Sequence, residues 1–258
     1  MDNIQTFSRD SDQYARSRPQ YPEELFQFLN EVSARHETAW DCATGNGQAA
    51  ISCAKYFAQI EATDSSAEQI GHCIPHPKVH YSVCPAEHST FADDSFDLIV
   101  VAQAIHWFDQ GQFFGEAGRV LKPGGILAAW GYGWLEIEPE INALIASDLQ
   151  QPIDRFWAEG NRQLVAGYRD LTLPFEPVNL PQPFSMRVTW SLAQLLAYLR
   201  TWSAVKRYAA ELGHDPVERL ETSLKTIWVQ PGQTRLVQMP LFMKVSRKPA
   251  LGAEPGRS

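Results

Sequence analysis

The chain has little of what marks a secreted, membrane-spanning or disulfide-rich protein. Its 258 residues hold only four cysteines, all in the first third of the sequence: Cys42, Cys53, Cys73 and Cys84. A chain of this length builds a core without disulfides, so free thiols in a reducing cytoplasm are expected. The polar residues 1–22 lack the apolar segment of a signal peptide, and no run reaches the roughly 18 apolar residues of a membrane span. These absences predict a cytoplasmic protein with no membrane partner.

Positive charge is also scarce. There are 22 Lys and Arg against 30 Asp and Glu, which gives a net charge of −8, and the basic residues are scattered along the chain. Binding to a nucleic-acid backbone depends on clustered positive charge, so no nucleic-acid partner is expected, although an acidic enzyme can still modify RNA. A small molecule is the expected partner, and no pattern in the sequence specifies an oligomeric state.

What the sequence does have is a regular alternation of short β-prone runs and helical segments between residues 40 and 132. Strands separated by helices predict a parallel sheet that is covered by helices on both faces. Residues 22–36 place apolar side chains at helical spacing, which predicts a helix packed against that sheet. The five predicted strands are AWDCA, QIEATD, VHYSVC, FDLIVVAQAI and GGILAAW, which begin at residues 39, 59, 79, 96 and 124.

After Tyr132 the pattern changes, because prolines become frequent and aromatic residues dense. This change predicts a separate, mostly helical cap. Residues 191–212 form an amphipathic stretch that opens with a capping serine, Ser191, and they predict a helix. Residues 234–248 predict a terminal strand, in which Pro240 favours an edge position or a bulge. Residues 249–258 are expected to be disordered.

A short stretch after the first predicted strand, WDCATGNGQAA at residues 40–50, combines an acid with two glycines. Gly45 and Gly47 permit a tight turn and close approach of the backbone to a ligand, at the carboxyl end of a parallel strand. The same letters satisfy a dinucleotide fingerprint, with Asp64 placed to hold a ribose hydroxyl. Asp41, however, would repel a pyrophosphate and attract an ammonium or sulfonium group. The loop therefore predicts a ligand that is cationic at one end and a nucleoside at the other.

The loop resembles the first motif of the class I S-adenosylmethionine-dependent methyltransferases, with Ala43 where glycine is commoner. The resemblance continues in order through EATD, CPAEHSTFADDSFDLIVVAQAIHWFD and EAGRVLKPGGILAAW, and it covers roughly residues 38–132. Three further segments, YARSRPQYP, AQAIHWFD and YLRTWSAVKRY, resemble a narrower group that includes trans-aconitate methyltransferases and methyltransferase type 11 proteins.

The resemblance implies an α/β fold: a Rossmann-like, seven-stranded, mostly parallel sheet with helices on both faces and a helical cap inserted after the fifth strand. The last strand would be antiparallel. The implied divisions are an N-terminal helical segment over the cofactor (1–37), a core that binds S-adenosyl-L-methionine (38–133), a cap with the acceptor pocket (134–233), the terminal strand (234–248) and a tail (249–258).

The function that the resemblance implies is methyl transfer from S-adenosylmethionine to a small-molecule acceptor, with a carboxylate as one candidate. Two alternatives stay open at this point. One is an NAD(P)-dependent oxidoreductase, which would place a pyrophosphate beside Asp41. The other is a methyltransferase-like protein that binds a ligand without turnover.

By the same resemblance, Asp41 and the glycine loop would hold the methionine part of the cofactor, and Asp64 would hold the ribose. Tyr14 and Arg18 lie in the segment that would fold over the cofactor, where a guanidinium can pair with a carboxylate. Each predicted residue also has a plain structural interpretation, as a turn glycine, a solvated acid or a strand-end hydrogen bonder. The full cofactor set is Tyr14, Arg18, Asp41, Ala43, Gly45, Gly47, Asp64, Ser65, Ala86, Glu87, Gln103 and Ala104.

His106 is the predicted catalytic residue, because it follows the fourth strand at the ligand edge of the sheet. Methyl transfer is an in-line displacement, in which positioning and exclusion of water supply most of the acceleration. An ionised carboxylate acceptor needs only orientation by His106, whereas a hydroxyl or amine needs a base. A packed histidine without a chemical role is the alternative. The predicted acceptor pocket consists of His106, Trp107, Trp130, Tyr132 and Trp134, although aromatic residues also serve as core packing.

The histidines and cysteines between residues 72 and 88 do not predict a metal site. They run across a helix end, a proline loop and a strand, whereas zinc sites use paired short spacings. Alternation along the strand places at most some of them on one face. The residues concerned are His72, Cys73, His76, His80, Cys84 and His88.

Overall fold

The computed structural model of the chain describes residues 19–230 and 232–250. These residues form two compact units. The sheet unit contains Tyr21–Gly133, Gln163–Phe184 and the segment that begins at Leu241, and the helical unit contains Trp134–Arg162 and Ser185–Pro240. The helical unit and the predicted cap of residues 134–233 share most of their residues, whereas Gln163–Phe184 packs with the sheet.

The sheet unit is built on a mostly parallel sheet. Its strands are β1 Thr38–Cys42, β2 Gln59–Asp64, β3 Val79–Val83, β4 Phe96–Ala102, β5 Leu121–Tyr132 and β6 Glu176–Pro177, joined by part of β8, Thr234–Arg247. Over the described residues the strand order is β3-β2-β1-β4-β5-β8-β6. Neighbours among β1 to β5 pair in parallel, and β8 pairs antiparallel with both β5 and β6. This arrangement confirms the Rossmann-like α/β fold class that the sequence predicts.

The core of the sheet unit surrounds β4, whose sequence is apolar from Leu98 to Val101 and whose residues Phe96 to Val101 are all buried. The helices of this unit are α1 Glu23–Val32, α2 Gln48–Cys53, α3 Ala67–Gly71 and α4 Gln110–Val120, with a 3₁₀ turn at Ile105–Trp107. The register places Ile99 between Trp40 and Leu127. Each large apolar side chain buried here contributes roughly 1.5–3 kcal/mol. Packing on this scale fixes the positions of the strand ends.

The helical unit carries most of the helices that follow residue 134. They are α5 Pro139–Ile145, α6 Gln151–Ile153, α7 Glu159–Val165, α8 Leu192–Arg200, α9 Ser203–Leu212 and α10 Val217–Leu224, with β7 at Ser185–Ser191. A π turn, Ala146–Gln150, joins α5 to α6, and a 3₁₀ turn, Asp154–Phe156, follows α6. None of the helices in the described ranges is both long enough and apolar enough to cross a membrane.

The predicted helix of residues 191–212 is two helices rather than one. Ser191 caps the first of them as predicted, because its Oγ accepts from Gln194 N at 3.4 Å while Gln194 Oε1 accepts from Ser191 N at 2.9 Å. The break falls after Arg200. Thr201 Oγ1 donates to the Tyr198 carbonyl at 2.6 Å, and Trp202 adopts an extended conformation with φ −63° and ψ 136°. A hydroxyl that bonds the carbonyl three residues earlier competes with helix continuation, which periodicity does not reveal.

Strand β8 contributes to both units. Its residues Thr234–Pro240 pair antiparallel with β7 in the helical unit, and from Leu241 onward it pairs with β5 in the sheet unit. Pro240 is the last position of the β7 ladder, and Leu241 N donates to the Phe184 carbonyl at 2.9 Å. A proline has no N–H to donate, so it is tolerated where the strand changes partners.

Candidate functional site

A cleft of about 460 Å³ opens at the carboxyl ends of β1, β2 and β4 in the sheet unit. Strands β2 and β4 lie on either side of β1, so their last residues meet at one edge. Seven of the residues predicted from the sequence meet there: Ala43, Gly45, Asp64, Ser65, Gln103, Ala104 and Trp107. The rest of the lining is Tyr21, Thr44, Asn46, Gln48, Ala49, Gln69, Ala102 and Phe108.

The loop after β1 turns through three left-handed residues, with φ +58° at Ala43, +55° at Gly45 and +87° at Gly47. A Cβ on Gly47 would lie 2.5 Å from Tyr81 Oη, so a side chain there requires movement of the tyrosine. The packing of Tyr81 therefore explains the glycine at position 47. Gly47 does not line the cleft. At Gly45 a Cβ would meet nothing within 4 Å, so its backbone borders open space.

Asp64, at the end of β2, ties the glycine loop to the next turn. Its Oδ2 accepts from Gly45 N and its Oδ1 accepts from Ser66 N, both at 2.9 Å. An ionised carboxylate has about four acceptor positions, so each oxygen keeps capacity for a further donor. Because Asp64 also lines the cleft, it can accept hydrogen bonds from a ligand without releasing the loop.

Asp41 lies behind the loop rather than in the wall of the cleft. It is 0% exposed, and its Oδ2 accepts from Thr44 Oγ1 at 2.5 Å. Its Oδ1 is buried and has no hydrogen-bond partner among the described residues. Burial raises the pKa of Asp41 from 3.8 to about 6, although hydrogen bonds from Thr44 and from the Ala50 N–H oppose the rise. A buried carboxylate with one unpaired oxygen destabilises the fold, and a cationic ligand nearby would offset part of that destabilisation.

Gln103 closes the ends of β4 and β5 and also lines the cleft. Its side-chain amide pairs with the backbone of Tyr132: Nε2 donates to the carbonyl at 3.1 Å, and Oε1 accepts from the N–H at 2.8 Å. Its backbone is left-handed, with φ +59°. A non-glycine residue in that conformation is strained, so the two hydrogen bonds hold the chain where the ligand edge begins. The contacts of Gln103 are thus those of a strand-end hydrogen bonder. Because Gln103 also lines the cleft, it can contact a ligand as well.

His106 sits in the 3₁₀ turn after β4 and is 8% exposed. Its Nδ1 lies 2.8 Å from Tyr168 Oη, and burial raises the pKa of Tyr168, so the hydroxyl stays protonated. His106 is absent from the residues that line the cleft, although Ala104 and Trp107 are among them. The structure thus places the imidazole behind the wall, and its catalytic role stays a prediction.

The predicted aromatic acceptor residues do not form one cluster. Trp107 lines the cleft and is 56% exposed. Trp130 is fully buried and packs edge-on against Tyr21, with ring centroids 5.4 Å apart. Tyr132 is held at the end of β5 by Gln103. Trp134 belongs to the helical unit, where its ring centroid is 5.9 Å from that of Trp157.

Other predicted residues lie away from the lining of the cleft. Ala86 packs in the core at 8% exposure, and Glu87 Oε1 accepts from Asp109 N at 3.1 Å. Tyr14 and Arg18 lie outside the described residues.

Sequence reasoning missed part of the lining. Tyr21 stands in the quoted segment YARSRPQYP, so that segment carried a usable signal. Phe108 directly follows the predicted residues His106 and Trp107, and only its neighbours pointed to it. Gln69 lies on α3, shortly after Asp64 but outside the quoted motifs, and it reaches the cleft through the fold.

The histidines and cysteines near β3 are engaged separately. His80 Nδ1 lies 2.8 Å from Glu61 Oε2, and His88 Nε2 lies 3.0 Å from Gln112 Oε1. Cys73 Sγ donates to the Gly45 carbonyl at 3.2 Å. Over residues 19–230 and 232–250, no three His, Cys, Asp or Glu side chains converge as metal ligands would.

The chemistry of the cleft discriminates between the two ligand classes that the sequence leaves open. Its described lining residues include an acid, several amides and three aromatic side chains, but neither Lys nor Arg. A pyrophosphate would meet no cationic side chain there and would lie near the buried Asp41. A nucleoside with a cationic substituent would find an acceptor at Asp64 in the lining, and the charge of Asp41 behind the loop would favour the cation. The residues present therefore fit S-adenosylmethionine.

Comparison with known proteins agrees with this chemistry. The sequence pattern of a family described as a methyltransferase domain matches residues 40–129. The chain is 28% identical to a Dictyostelium discoideum protein provisionally named a methyltransferase, over 94% of each chain. It is 26% identical to an uncharacterized methyltransferase of Schizosaccharomyces pombe, over 86% of this chain and 88% of the other.

A solved structure extends the likeness to three dimensions. It is provisionally named a type II methyltransferase and comes from Anaeromyxobacter dehalogenans. The two chains are 35% identical and superpose with a TM-score of 0.84, over 90% of this chain and 99% of the other. The resemblance to the class I methyltransferases is thereby confirmed. The chain belongs to the class I S-adenosylmethionine-dependent methyltransferases, and S-adenosylmethionine is its cofactor.

Proposed function

We propose that this methyltransferase acts on a small-molecule acceptor and that organic carboxylates are the first class to test. The observation that carries the proposal is the cleft of about 460 Å³ at the strand ends, a volume within the usual range of small-molecule sites. The trans-aconitate-like segments support a carboxylated acceptor. The four free cysteines support a site of action in a reducing cytoplasm.

The proposed cofactor contacts follow from the described contacts of the cleft. Asp64 would accept hydrogen bonds from the ribose hydroxyls with its remaining lone pairs, while it keeps Gly45 N and Ser66 N. The backbone at Gly45 would lie against the amino-acid part, since no side chain occupies that space. Asp41 would act from behind the loop, where its charge favours a cation. For Tyr14 and Arg18 the resemblance alone supports a role.

When bound, S-adenosylmethionine supplies a methyl group on a positively charged sulfur, which is ready for displacement. The contribution of the protein is then to orient the acceptor and to exclude water. Trp107 is half-exposed at the cleft, so it is placed to cover an acceptor.

We assign His106 an orienting role in place of a base. The hydrogen bond between His106 Nδ1 and Tyr168 Oη, at 2.8 Å, fixes the imidazole, whose ring centroid lies 4.8 Å from that of Trp107. His106 would therefore act on an acceptor through Trp107, which lines the cleft.

The cofactor part of the proposal is tested by isothermal titration with S-adenosylmethionine, S-adenosylhomocysteine and NADH. Wild type, Asp64→Asn and the exposed control Asp170→Asn are compared. We expect both adenosyl compounds to bind wild type and the control equally, Asp64→Asn to bind them more weakly, and NADH not to bind. Equal affinity in Asp64→Asn would remove Asp64 from the site.

The acceptor part needs a separate experiment. Purified protein with S-adenosylmethionine is incubated with small carboxylic acids and with their amides, and methylated products are identified by mass spectrometry. Methyl esters from the acids, with no product from the amides, would support the proposal. Methylation of amines or alcohols alone would overturn the carboxylate class while leaving the methyltransferase activity intact.

A further inference from the structure

The helical unit contains a groove of about 480 Å³ that is separate from the strand-end cleft of the sheet unit. One wall is the end of the 3₁₀ turn Asp154–Phe156 with the following residue, and the other is helix α9. Its lining consists of Arg155, Phe156, Trp157, Arg207, Ala210 and Glu211. Arg207 lies in the segment YLRTWSAVKRY, and the other lining residues lie outside the methyltransferase motifs.

The groove carries two guanidinium groups and a single carboxylate. Arg155 Nη2 lies 3.5 Å from Glu211 Oε1, and both side chains are mostly exposed, at 68% and 63%. Arg207 Nη1 donates to the Phe156 carbonyl at a long 3.4 Å. Each guanidinium has five N–H donors, so most donors of both arginines are available to a ligand. This excess of positive charge stands out in a chain whose net charge is −8.

The floor of the groove is aromatic. Phe156 is 7% exposed, and the Arg155 guanidinium carbon lies 4.7 Å above its ring. Trp157 also lines the groove.

The side chains of the groove favour one class of ligand. Both guanidinium groups donate hydrogen bonds, so they select a ligand that accepts them. Glu211 adds one negative charge, which disfavours a ligand with more than one. Arg155 covers the Phe156 ring, so Trp157 is the ring that a ligand can contact.

We propose that the groove binds an organic monocarboxylate that carries an aromatic ring, with the carboxylate between Arg155 and Arg207 and the ring against Trp157. Paired guanidinium donors match the two oxygens of a carboxylate. The ligand is either the methyl acceptor or an effector that is not consumed. Binding at the groove does not depend on methyl transfer, so its test stands apart from that of the proposed function.

The test is isothermal titration without cofactor. The probes are benzoate, phenylacetate and indole-3-acetate, with the three corresponding amides as uncharged controls of the same shape and acetate as a ringless carboxylate. We expect saturable binding of at least one aromatic carboxylate, with its amide and acetate weaker by about tenfold or more.

The variants Arg155→Gln and Arg207→Gln should each weaken binding of that carboxylate by about tenfold or more, and Glu211→Gln should strengthen it. Arg187→Gln, an exposed arginine on β7 in the same unit, is the matched control and should not change it. Thermal unfolding followed by circular dichroism verifies that all variants are folded. Any one of three results overturns the proposal: no saturable binding by the panel, unchanged affinity in both groove variants, or equal binding of the amide.

The same probe then distinguishes the two sources of the ligand. After incubation with S-adenosylmethionine, a methylated probe whose rate of methylation falls in Arg155→Gln and Arg207→Gln identifies the groove as part of acceptor recognition. A probe recovered unchanged, with an altered methylation rate for another acceptor, identifies an effector site.

Discussion

Replacing the buried Asp41 by asparagine should make the cofactor-free protein more stable at neutral pH and weaken its affinity for the cofactor. The carboxylate is 0% exposed, and one of its oxygens has no partner among the described residues. Its pKa is raised from 3.8 to about 6, first of all by burial. A rise of this size corresponds to about 3 kcal/mol by which folding disfavours the ionised form.

The sign of the pH dependence follows from the proton count. Between pH values of about 4 and 6, the folded state holds a proton on Asp41 that the unfolded state has lost. The free energy of unfolding that this group contributes therefore falls as the pH rises through that window, and the full penalty persists above it. Asparagine has no charge to desolvate, and its oxygen can still accept from Thr44. Its NH₂ lacks an acceptor, which costs about 1 kcal/mol, so we expect a net gain of about 1–3 kcal/mol.

The assay is urea unfolding of wild type and Asp41→Asn at several pH values from about 4 to 8, followed by circular dichroism. Taking the difference between the two proteins cancels the titration of all other groups. The difference should grow from acid to neutral pH, and the exposed control Asp170→Asn should show none. Titration with S-adenosylmethionine should show the opposite effect, a loss of about tenfold or more in Asp41→Asn, because the buried charge favours a cation. An Asp41→Asn protein that is no more stable than wild type at neutral pH would refute the reasoning.

Three further substitutions test the site. Asp64→Ala should weaken binding of S-adenosylmethionine by about 1–3 kcal/mol, and by more than Asp64→Asn, which keeps one acceptor oxygen; isothermal titration measures both. Ala43→Gly removes the strain of a left-handed alanine, about 1–2 kcal/mol, against about 0.5–1 kcal/mol of added chain entropy in the unfolded state, so urea unfolding should show a small gain or no change. Tyr168→Phe removes the partner of His106 Nδ1, so it should lower turnover while leaving cofactor affinity unchanged; comparison with His106→Ala in the same methylation assay separates orientation from folding.

Each of these expectations has a contrary result. Equal affinity in both Asp64 variants and wild type would show that the ribose does not contact Asp64. A loss of more than about 1 kcal/mol in Ala43→Gly would mean that the alanine methyl group makes contacts that outweigh its strain. If Tyr168→Phe and His106→Ala lose cofactor affinity and turnover alike, the pair serves the fold and not the acceptor.

Much of the sheet could be predicted because its signals are local. The apolar run of β4 and the patterns of the strands before it reflect the burial of each strand. This burial is visible in the residues of the strand itself. The break between α8 and α9 was not predictable in this way. It depends on a hydroxyl of Thr201 that bonds the Tyr198 carbonyl, and the apolar periodicity continues through it.

The candidate site also has a part that the sequence predicts and a part that it does not. Gly45, Asp64 and Gln103 are predicted from the family resemblance, and they meet in the structure because strand ends in a parallel sheet converge at one edge. The depth of a side chain was not predictable. Asp41 and His106 were placed at that edge correctly in chain position, yet they lie behind its surface. Their burial depends on the packing of the loop and of Tyr168, residues distant in sequence.

Strand β8 has a consequence for the order in which the chain folds. It follows every other described strand in sequence, and it supplies a neighbour to β7 in one unit and to β5 in the other. During synthesis, the edges of β5 and β7 that later pair with β8 remain without hydrogen-bond partners until β8 emerges from the ribosome. Unpaired edges of this kind recruit other chains. We therefore expect the nascent chain to be most prone to aggregation before β8 is made. Substitutions that weaken β8 pairing should then reduce soluble yield more than they reduce the stability of the finished fold.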